Sequence, residues 1–343
     1  MSNFADRLIA WHAHGGRHDL PWQNTTDAYR IWLSEIMLQQ TQVDTVIPYY
    51  ARFLARCPTL ASLAEAPADD VMALWAGLGY YARARNLHAC AKQVMAEFGG
   101  EFPRTPEQIA TLPGIGRSTA AAIAAFAFGQ RAAILDGNVK RVLCRVFGVE
   151  GFPGSVPVER KLWDLAEDLL PKTGIQTYIQ AQMDLGATVC VRGTPRCERC
   201  PMAEICVAHR TGRTADLPAA RPRKKPPVRS TQMAVVTDGE RVLLVHRPPK
   251  GIWGGLLSLP EFESGMAPED WWRWFAGDVA VTVSALPALR HTFTHYVLDI
   301  LPVRFEVGEL GAVKEVEAGR VVSLQNAQAL GLPKPVSRIL GFG

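Results

Sequence analysis

The 343-residue chain has no long apolar run, no even set of cysteines and no strong charge of either sign. Each absence narrows what it can be. The longest uncharged apolar stretch, Ser118–Phe128, falls well short of the roughly 20 residues that cross a bilayer, so no membrane partner is expected. No secretory leader is expected either, because Asp6 and Arg7 already sit inside a helical pattern. The expected setting is therefore a reducing one, cytoplasmic and nucleoid-associated. Seven cysteines, three scattered (Cys57, Cys90, Cys144) and four clustered, do not make a disulfide framework. A net charge of +4 permits nucleic-acid binding without establishing it. There is no internal repeat. With 48% hydrophobic and 20% charged residues the chain reads as folded, and its length suits two or three compact units.

What is present comes in two styles. From Phe4 to about Ala208, apolar residues recur at spacings of three and four between short Pro/Gly breaks, predicting helix after helix. Helices are expected over Tyr29–Tyr50, Asp69–Ala76, Ala82–Phe98, Thr119–Phe128 and Val139–Val146. The run Thr211–Ser230, rich in Pro and basic residues, reads as a linker. Beyond it the period becomes strand-like, with two β-rich runs about an Asp238-Gly239 turn and a long alternating stretch over Ala288–Val307. The fold class expected is multidomain. An all-α domain over 1–210 is followed by a basic linker over 211–230 and a smaller α+β domain over 231–343.

Cys190, Cys197, Cys200 and Cys206 form C-x6-C-x2-C-x5-C. Four thiolates in one short sweep can enclose a single compact cofactor. Structural zinc also takes four thiolates, but usually from two close knuckles set far apart. Iron–sulfur clusters tolerate uneven spacing within one loop, and that is the reading preferred here, with zinc kept open. Arg192, Arg196 and Arg199 flank the ligands and suit phosphates, so the loop's role is structural.

Leu112–Ala120, reading LPGIGRSTA, lies between two helical patterns and defines a hairpin at about 110–125. Pro113 and Gly114 should end the first helix. Gly116 should allow close backbone approach, and Ser118 or Thr119 should begin the second, whose exposed amides can hold a phosphate. About one helix later, Asp136 and Asn138 stand at the entrance to another helix. Either can be a simple N-cap. The same amides and dipole would also keep a partly desolvated carboxylate ionised, ready to stabilise a sugar cation.

A second carboxylate lies in Ile31–Gln42, a segment apolar on most sides. Glu35, Gln39 and Gln42 fall at i, i+4 and i+7 and should form one polar stripe. An apolar setting keeps a carboxyl protonated near neutral pH. Two carboxyls in contrasting environments are what glycoside cleavage uses.

The Pro-Gly-x-Gly hairpin, the later aspartate and the four-cysteine loop together resemble the helix-hairpin-helix DNA glycosylase superfamily, over roughly Trp11–Ala208. Bifunctional members, similar to endonuclease III, carry a lysine nucleophile just after the hairpin glycines. Ser118 stands in that place and cannot form a Schiff base, which implies a monofunctional enzyme. The segments WLSEIMLQQTQ (Trp32–Gln42), GLGYYARARN (Gly77–Asn86) and LDGNVKRVL (Leu135–Leu143) resemble the adenine-specific branch, the MutY family. That resemblance implies Glu35 as the acid, Asp136 as the stabiliser of the sugar cation and Asn138 as a supporting group. It implies double-stranded DNA with adenine opposite 8-oxoguanine or guanine as substrate, one [4Fe-4S] cluster on the four cysteines, and a monomer. Tyr80, with Gln39 and Gln40 nearby in the pattern and Arg83 and Arg85 beside it, resembles the family's wedge for flipping a base. Trp22 and Gln23 fall where relatives line the adenine pocket. Gly114, Gly116, Ser118 and Lys140, with Arg141, are expected on the DNA.

The segment from Thr231 resembles the nudix-like domain attached to such enzymes. It lacks the glutamate-rich helix that holds magnesium, offering only Glu269 and Asp270 in MAPEDWWRWFAG. The family inspects 8-oxoguanine through a loop reading Phe-Ser-His in many members; here it is Phe293-Thr294-His295. Two other readings compete. An endonuclease III-like glycosylase/lyase for oxidised pyrimidines is opposed by Ser118 and the extra domain. A non-catalytic iron–sulfur DNA-binding protein would have no need of both Glu35 and Asp136.

Overall fold

A computed structural model describes residues 2–221, 226–248, 251–293, 295–312 and 319–342. Helices fill the first part: α1 (Ser2–Gly15), α2 (Ala28–Leu38), α3 (Val43–Arg56), α4 (Leu60–Glu65), α5 (Ala68–Trp75), α6 (Ala82–Phe98), α7 (Pro106–Ile109), α8 (Arg117–Phe128), α9 (Gly137–Phe147), α10 (Val156–Asp168), α11 (Ile175–Asp184) and α12 (Val207–Arg210). A π-helical turn, Leu185–Val189, continues α11 into the cysteine loop. Among the described residues no helix is long and apolar enough to cross a membrane.

The later part is a mixed sheet with β1 (Val228–Thr237), β2 (Arg241–His246), β3 (Leu257–Ser258), β4 (Glu261–Phe262), β5 (Thr282–Ala285), β6 (Leu289–Thr292), β7 (Val297–Glu306) and β8 (Gly319–Ser323). Its strand order runs β3-β2-β1-β7-β5, with β4 on β1, β6 on β7 and β8 on β2. Among the described residues only β1 and β7 pair in parallel, from Val228 opposite Val297 to Thr237 opposite Glu306. Helix α13 (Pro268–Ala276) packs Trp271 and Trp272 against Phe262 and Phe305 to close the core of this sheet. Glu269 and Asp270 occupy its first turn, where the helix dipole favours acids.

Two compact units emerge. One comprises Met1–Glu65 with Asn86–Arg223, and the other Ala66–Arg85 with Lys224–Gly343. An all-α unit and a smaller α+β unit are therefore present as expected, but residues 66–85 pack with the later segment. In that second unit Gly331 meets the Met72 backbone, where an added Cβ would lie 3.3 Å from Met72 O.

The expected helix Tyr29–Tyr50 is two helices. α2 stops at Gln39 (ψ 110°), Gln40 turns left-handed (φ 59°), and α3 starts after Gln42. The predicted stripe Glu35–Gln39–Gln42 is broken at that turn, so only Glu35 lies inside a helix. Parts of the expected linker belong to packed structure. Leu217 is buried in the helical core and its carbonyl accepts from Arg145 Nε at 2.8 Å, while β1 already begins at Val228.

Candidate active site

The site grows from the start of α8. Gly114 takes φ 76°, and a Cβ there would lie 2.7 Å from Asn86 Cβ, so this glycine is the one that close approach demands. Gly116 was expected in that part. It instead has ordinary extended backbone, meets nothing within 4 Å, and caps α8 without a side chain. The hairpin's first helix is the short α7, which ends at Ile109 ahead of Pro113. Arg117 opens α8, pairs with Glu167 and lies 3.9 Å over the Trp163 ring.

Small residues let α8 sit close to its neighbours. Ala120, Ala121, Ala122, Ala124 and Ala125 are all buried, and α2 packs on this helix. Two side chains of its first turn then tie the site together. Ser118 Oγ accepts the Leu135 amide at 2.9 Å, fixing the chain one residue before Asp136. Thr119 Oγ1 accepts Gln39 Nε2 at 3.4 Å, holding the end of α2. Ser118 is thus a positioning acceptor, a role that the sequence pattern does not reveal.

Asp136 is the N-cap of α9. Its Oδ1 accepts the Val139 amide at 2.8 Å, and Oδ2 accepts Asn138 Nδ2 at 3.3 Å. Burial nevertheless pushes its carboxyl above the usual range, against the pull of those donors and of Arg141. The expected amide donors are present, and desolvation acts against them. Glu35 has no such help. It is half-buried on α2 between Trp32, Leu33, Ile36 and Met37, which are buried outright. Desolvation, followed by repulsion from the Asp136 charge, lifts its carboxyl to about 8. The two carboxyls therefore feel each other, and the hydrogen-bond donors gather on Asp136 rather than on Glu35.

A network binds α9 to the cysteine loop. Arg141 donates to Asn138 Oδ1 (2.8 Å), Gly186 O (2.6 Å) and Cys190 O (2.7 Å). A Cβ on Gly186 would lie 2.5 Å from Asn138 Cβ, so the π turn needs glycine to let Asn138 stay in place. Arg145, only 2% exposed, donates to Val191 O at 2.7 Å and to Cys190 Sγ at 3.4 Å. Cys190, Cys197, Cys200 and Cys206 line a single cavity together with Arg145. Arg192, Arg196 and Arg199 are exposed around it. Neither the inward turn of Arg141 and Arg145 nor the role of Gly186 is visible in spacing.

Other expected residues divide. Lys140 pairs with Glu159 at 2.6 Å. Gln23 spends both ends of its amide on local backbone, accepting from Leu20 N (3.0 Å) and donating to Arg17 O (2.9 Å). These bonds clasp the loop that carries Trp22. Trp22 packs edge-on to Tyr50, 5.5 Å between centroids. Gln40 is exposed.

In the second unit, Tyr80 stands 47% exposed at φ 50°, a strained conformation for an aromatic residue. Arg83 turns inward, donating to Leu78 O and Gly79 O and lying 5.2 Å from the Trp75 ring, so it buttresses the turn. Arg85 donates to Gly254 O. Phe293 and His295 lie at the tip of the β6–β7 hairpin, closed by Phe293 N donating to Tyr296 O at 2.9 Å. Phe293 packs on Trp253 at 5.3 Å, and His295 is exposed. Thr294 lies outside the described residues.

Residues 33–168 match the model of the HhH-GPD superfamily of base excision DNA repair proteins, and residues 231–341 match the NUDIX domain. Adenine DNA glycosylase of Buchnera aphidicola subsp. Schizaphis graminum (strain Sg) is 33% identical over 98% of this chain and 97% of its own. The Homo sapiens adenine DNA glycosylase is 35% identical over 86% of this chain and 65% of its own. Among solved structures, a thermostable thymine-DNA glycosylase matches with TM-score 0.56 and 31% identity, over 61% of this chain and 95% of that one. The chain belongs to the adenine DNA glycosylase (MutY) family, base-excision repair glycosylases in which a helix-hairpin-helix unit precedes a nudix-like one.

Proposed function

We propose that this chain hydrolyses the N-glycosidic bond of adenine facing 8-oxoguanine or guanine in duplex DNA, and that Glu35 and Asp136 carry the chemistry. The observation supporting this most is the contrast between the coupled carboxyls, one held protonated to about pH 8 and one supplied with donors. Adenine leaves deoxyribose poorly because its anion is basic. Glu35 gives its proton to the ring, at N7, and the bonding pair departs with the base. The cation that develops on the sugar meets Asp136, as an ion pair or a transient covalent partner. Water adds to the sugar carbon and releases a proton that restores the acid, leaving an abasic site. Ser118 supplies no amine, so strand cleavage does not follow.

The target adenosine must leave the duplex first. Tyr80 is the proposed wedge, and the amides at the start of α8 with Gly114, Gly116 and Ser118 take a phosphate. Phe293, Thr294 and His295 read the opposite base. Asn138 steadies Asp136, while Gln39, Gln40, Trp22 and Lys140 border the proposed DNA face. The four cysteines suit one [4Fe-4S] cluster. They line one cavity together, and their uneven spacing within a single loop suits such a cluster better than the paired knuckles of structural zinc. Such a cluster supplies a cross-link that shapes the basic loop. The protein acts as a monomer in the nucleoid-bearing cytoplasm.

The test is a panel of duplexes carrying adenine opposite 8-oxoguanine, adenine opposite guanine, thymine opposite guanine, and thymine glycol opposite adenine. Cleavage is read with and without alkali. Loss of adenine, revealed mainly after alkali, is expected. Release of thymine instead would align the chain with its structural neighbour, and alkali-independent cleavage at thymine glycol would mean a lyase.

A further inference from the structure

The second unit joins two elements that lie far apart in sequence, the turn carrying Tyr80 and the hairpin carrying Phe293. The junction is the loop between β2 and β3. In it Trp253 takes φ 52°, a left-handed conformation that costs a bulky residue free energy and persists only where the surroundings hold it. They do. Leu256 N donates to Trp253 O at 3.1 Å, Arg247 Nε donates to Ile252 O at 3.1 Å, and Arg247 is itself paired with Glu261. The Trp253 ring is 8% exposed and contacts the hairpin at two points, His291 at 5.6 Å and Phe293 at 5.3 Å. The next residue, Gly254, offers its carbonyl to Arg85. A Cβ on Gly255 would lie 3.4 Å from Arg85 Cδ, so the arginine stem rests on this glycine. Arg85 follows Tyr80 by five residues and is held to it through a local ladder: Arg83 N donates to Tyr80 O at 2.8 Å and Arg85 N to Tyr81 O at 3.2 Å.

We propose that Arg85 and Trp253 are positioning residues that couple the Tyr80 turn to the Phe293 hairpin, so that preference for the lesion opposite adenine depends on a contact neither base touches. This rests on the reading of Tyr80 as wedge and of Phe293–His295 as lesion reader. The physical content is a chain of packed groups, Tyr80 turn to Arg85 to Gly254 to Trp253 to Phe293, each link a hydrogen bond, a peptide or a ring contact. A strained tryptophan is worth keeping at its centre because it fixes the hairpin tip in one place before DNA arrives. Seating of the reader on 8-oxoguanine then favours the turn geometry in which the wedge enters the stack.

The test is single-turnover adenine release from duplexes with adenine opposite 8-oxoguanine and opposite guanine, using the full chain with its cluster intact. The ratio of the two rates is the readout. Trp253→Ala should lower that ratio about tenfold, the scale expected for contacting residues, while the rate opposite guanine stays within about twofold. Trp253→Phe should restore most of the ratio. Arg85→Ala should lower it less, and the double variant should be no worse than Trp253→Ala alone, since both remove one linkage. Additive losses, or equal losses on both duplexes, would overturn the coupling. If Trp253→Ala does not fold, Arg85→Ala and Trp253→Phe carry the same comparison. Phe293→Ala separates the two levels. If it leaves the ratio intact, the reading of the hairpin fails; if it collapses the ratio while the Arg85 and Trp253 variants do not, the coupling alone fails.

Discussion

The middle of α2 and the start of α9 each deliver a carboxyl to the site, and they do so from opposite kinds of position. Glu35 emerges from a helix interior, where backbone donors are already used within the helix and the neighbours are apolar. Asp136 stands at a helix start, where donors are unspent. Both are desolvated, and desolvation raises both carboxyls. What separates them is the supply of N–H groups: Val139, Asn138 and Arg141 lower one, and nothing among the described residues lowers the other. Under the proposed mechanism, acid and anion are thus set by helix position rather than by residue type.

The sharpest way to break this comparison is to remove one partner at a time. Glu35→Gln is expected to cut base release by about a hundredfold to ten-thousandfold, the scale of a general acid, with duplex binding largely kept. A gel-shift assay beside single-turnover kinetics checks it, and equal loss of binding and rate would sink the acid role. Asp136→Asn comes next, at about a hundredfold to a thousandfold, because a neutral group no longer meets the sugar cation. Since Asn caps a helix as well as Asp, the melting temperature should barely move; Asp136→Ala should in addition cost about 1 kcal/mol.

The pH profile sharpens the contrast. With Glu35 at about 8, release should hold through neutral pH and fall about tenfold per unit above 8. Stability follows the same group. The folded state binds this proton more tightly than the unfolded chain does, so the contribution is full below about 4.5 and is lost as pH rises toward 8. Glu35→Gln escapes that loss. Its melting temperature should gain on the parent across this window and run parallel above it, as calorimetry at several pH values would show. The smallest effect is expected for Asn138→Ala, about tenfold in rate, since it removes a neighbour that orients Asp136. An unchanged rate would leave Val139 and the helix start as the only support that matters.

Much of this was legible in the residues. Periodicity and the Pro113-Gly114 break place the helices, and α6 falls where the pattern puts it. Glu35, Asp136 and the cysteines stand out by type and spacing. What was not legible is long-range. Nothing in Gln39–Gln42 signals that the apolar run must turn, because the turn serves packing of α2 on α8. Lys140 looks like a free cation until α10 brings Glu159 beside it. Gly114 and Gly116 look alike in the hairpin, and only the arrival of Asn86 decides which one cannot carry a side chain. The clasp made by Gln23 is hidden for a related reason, since its partners are backbone groups that residue type does not announce.

Residues 66–85 belong by packing to the segment that begins after residue 223. Seen as heredity rather than as architecture, this makes the gene less divisible than its two recognisable parts suggest. A recombination point in the basic stretch after Arg210 would exchange the later half cleanly on paper. It would also strip Met72 of Gly331 and Arg85 of Gly254, orphaning an insert that stays behind. Any viable swap must therefore carry matching residues at two separated places, so the two stretches are bound to drift together as the sequence evolves.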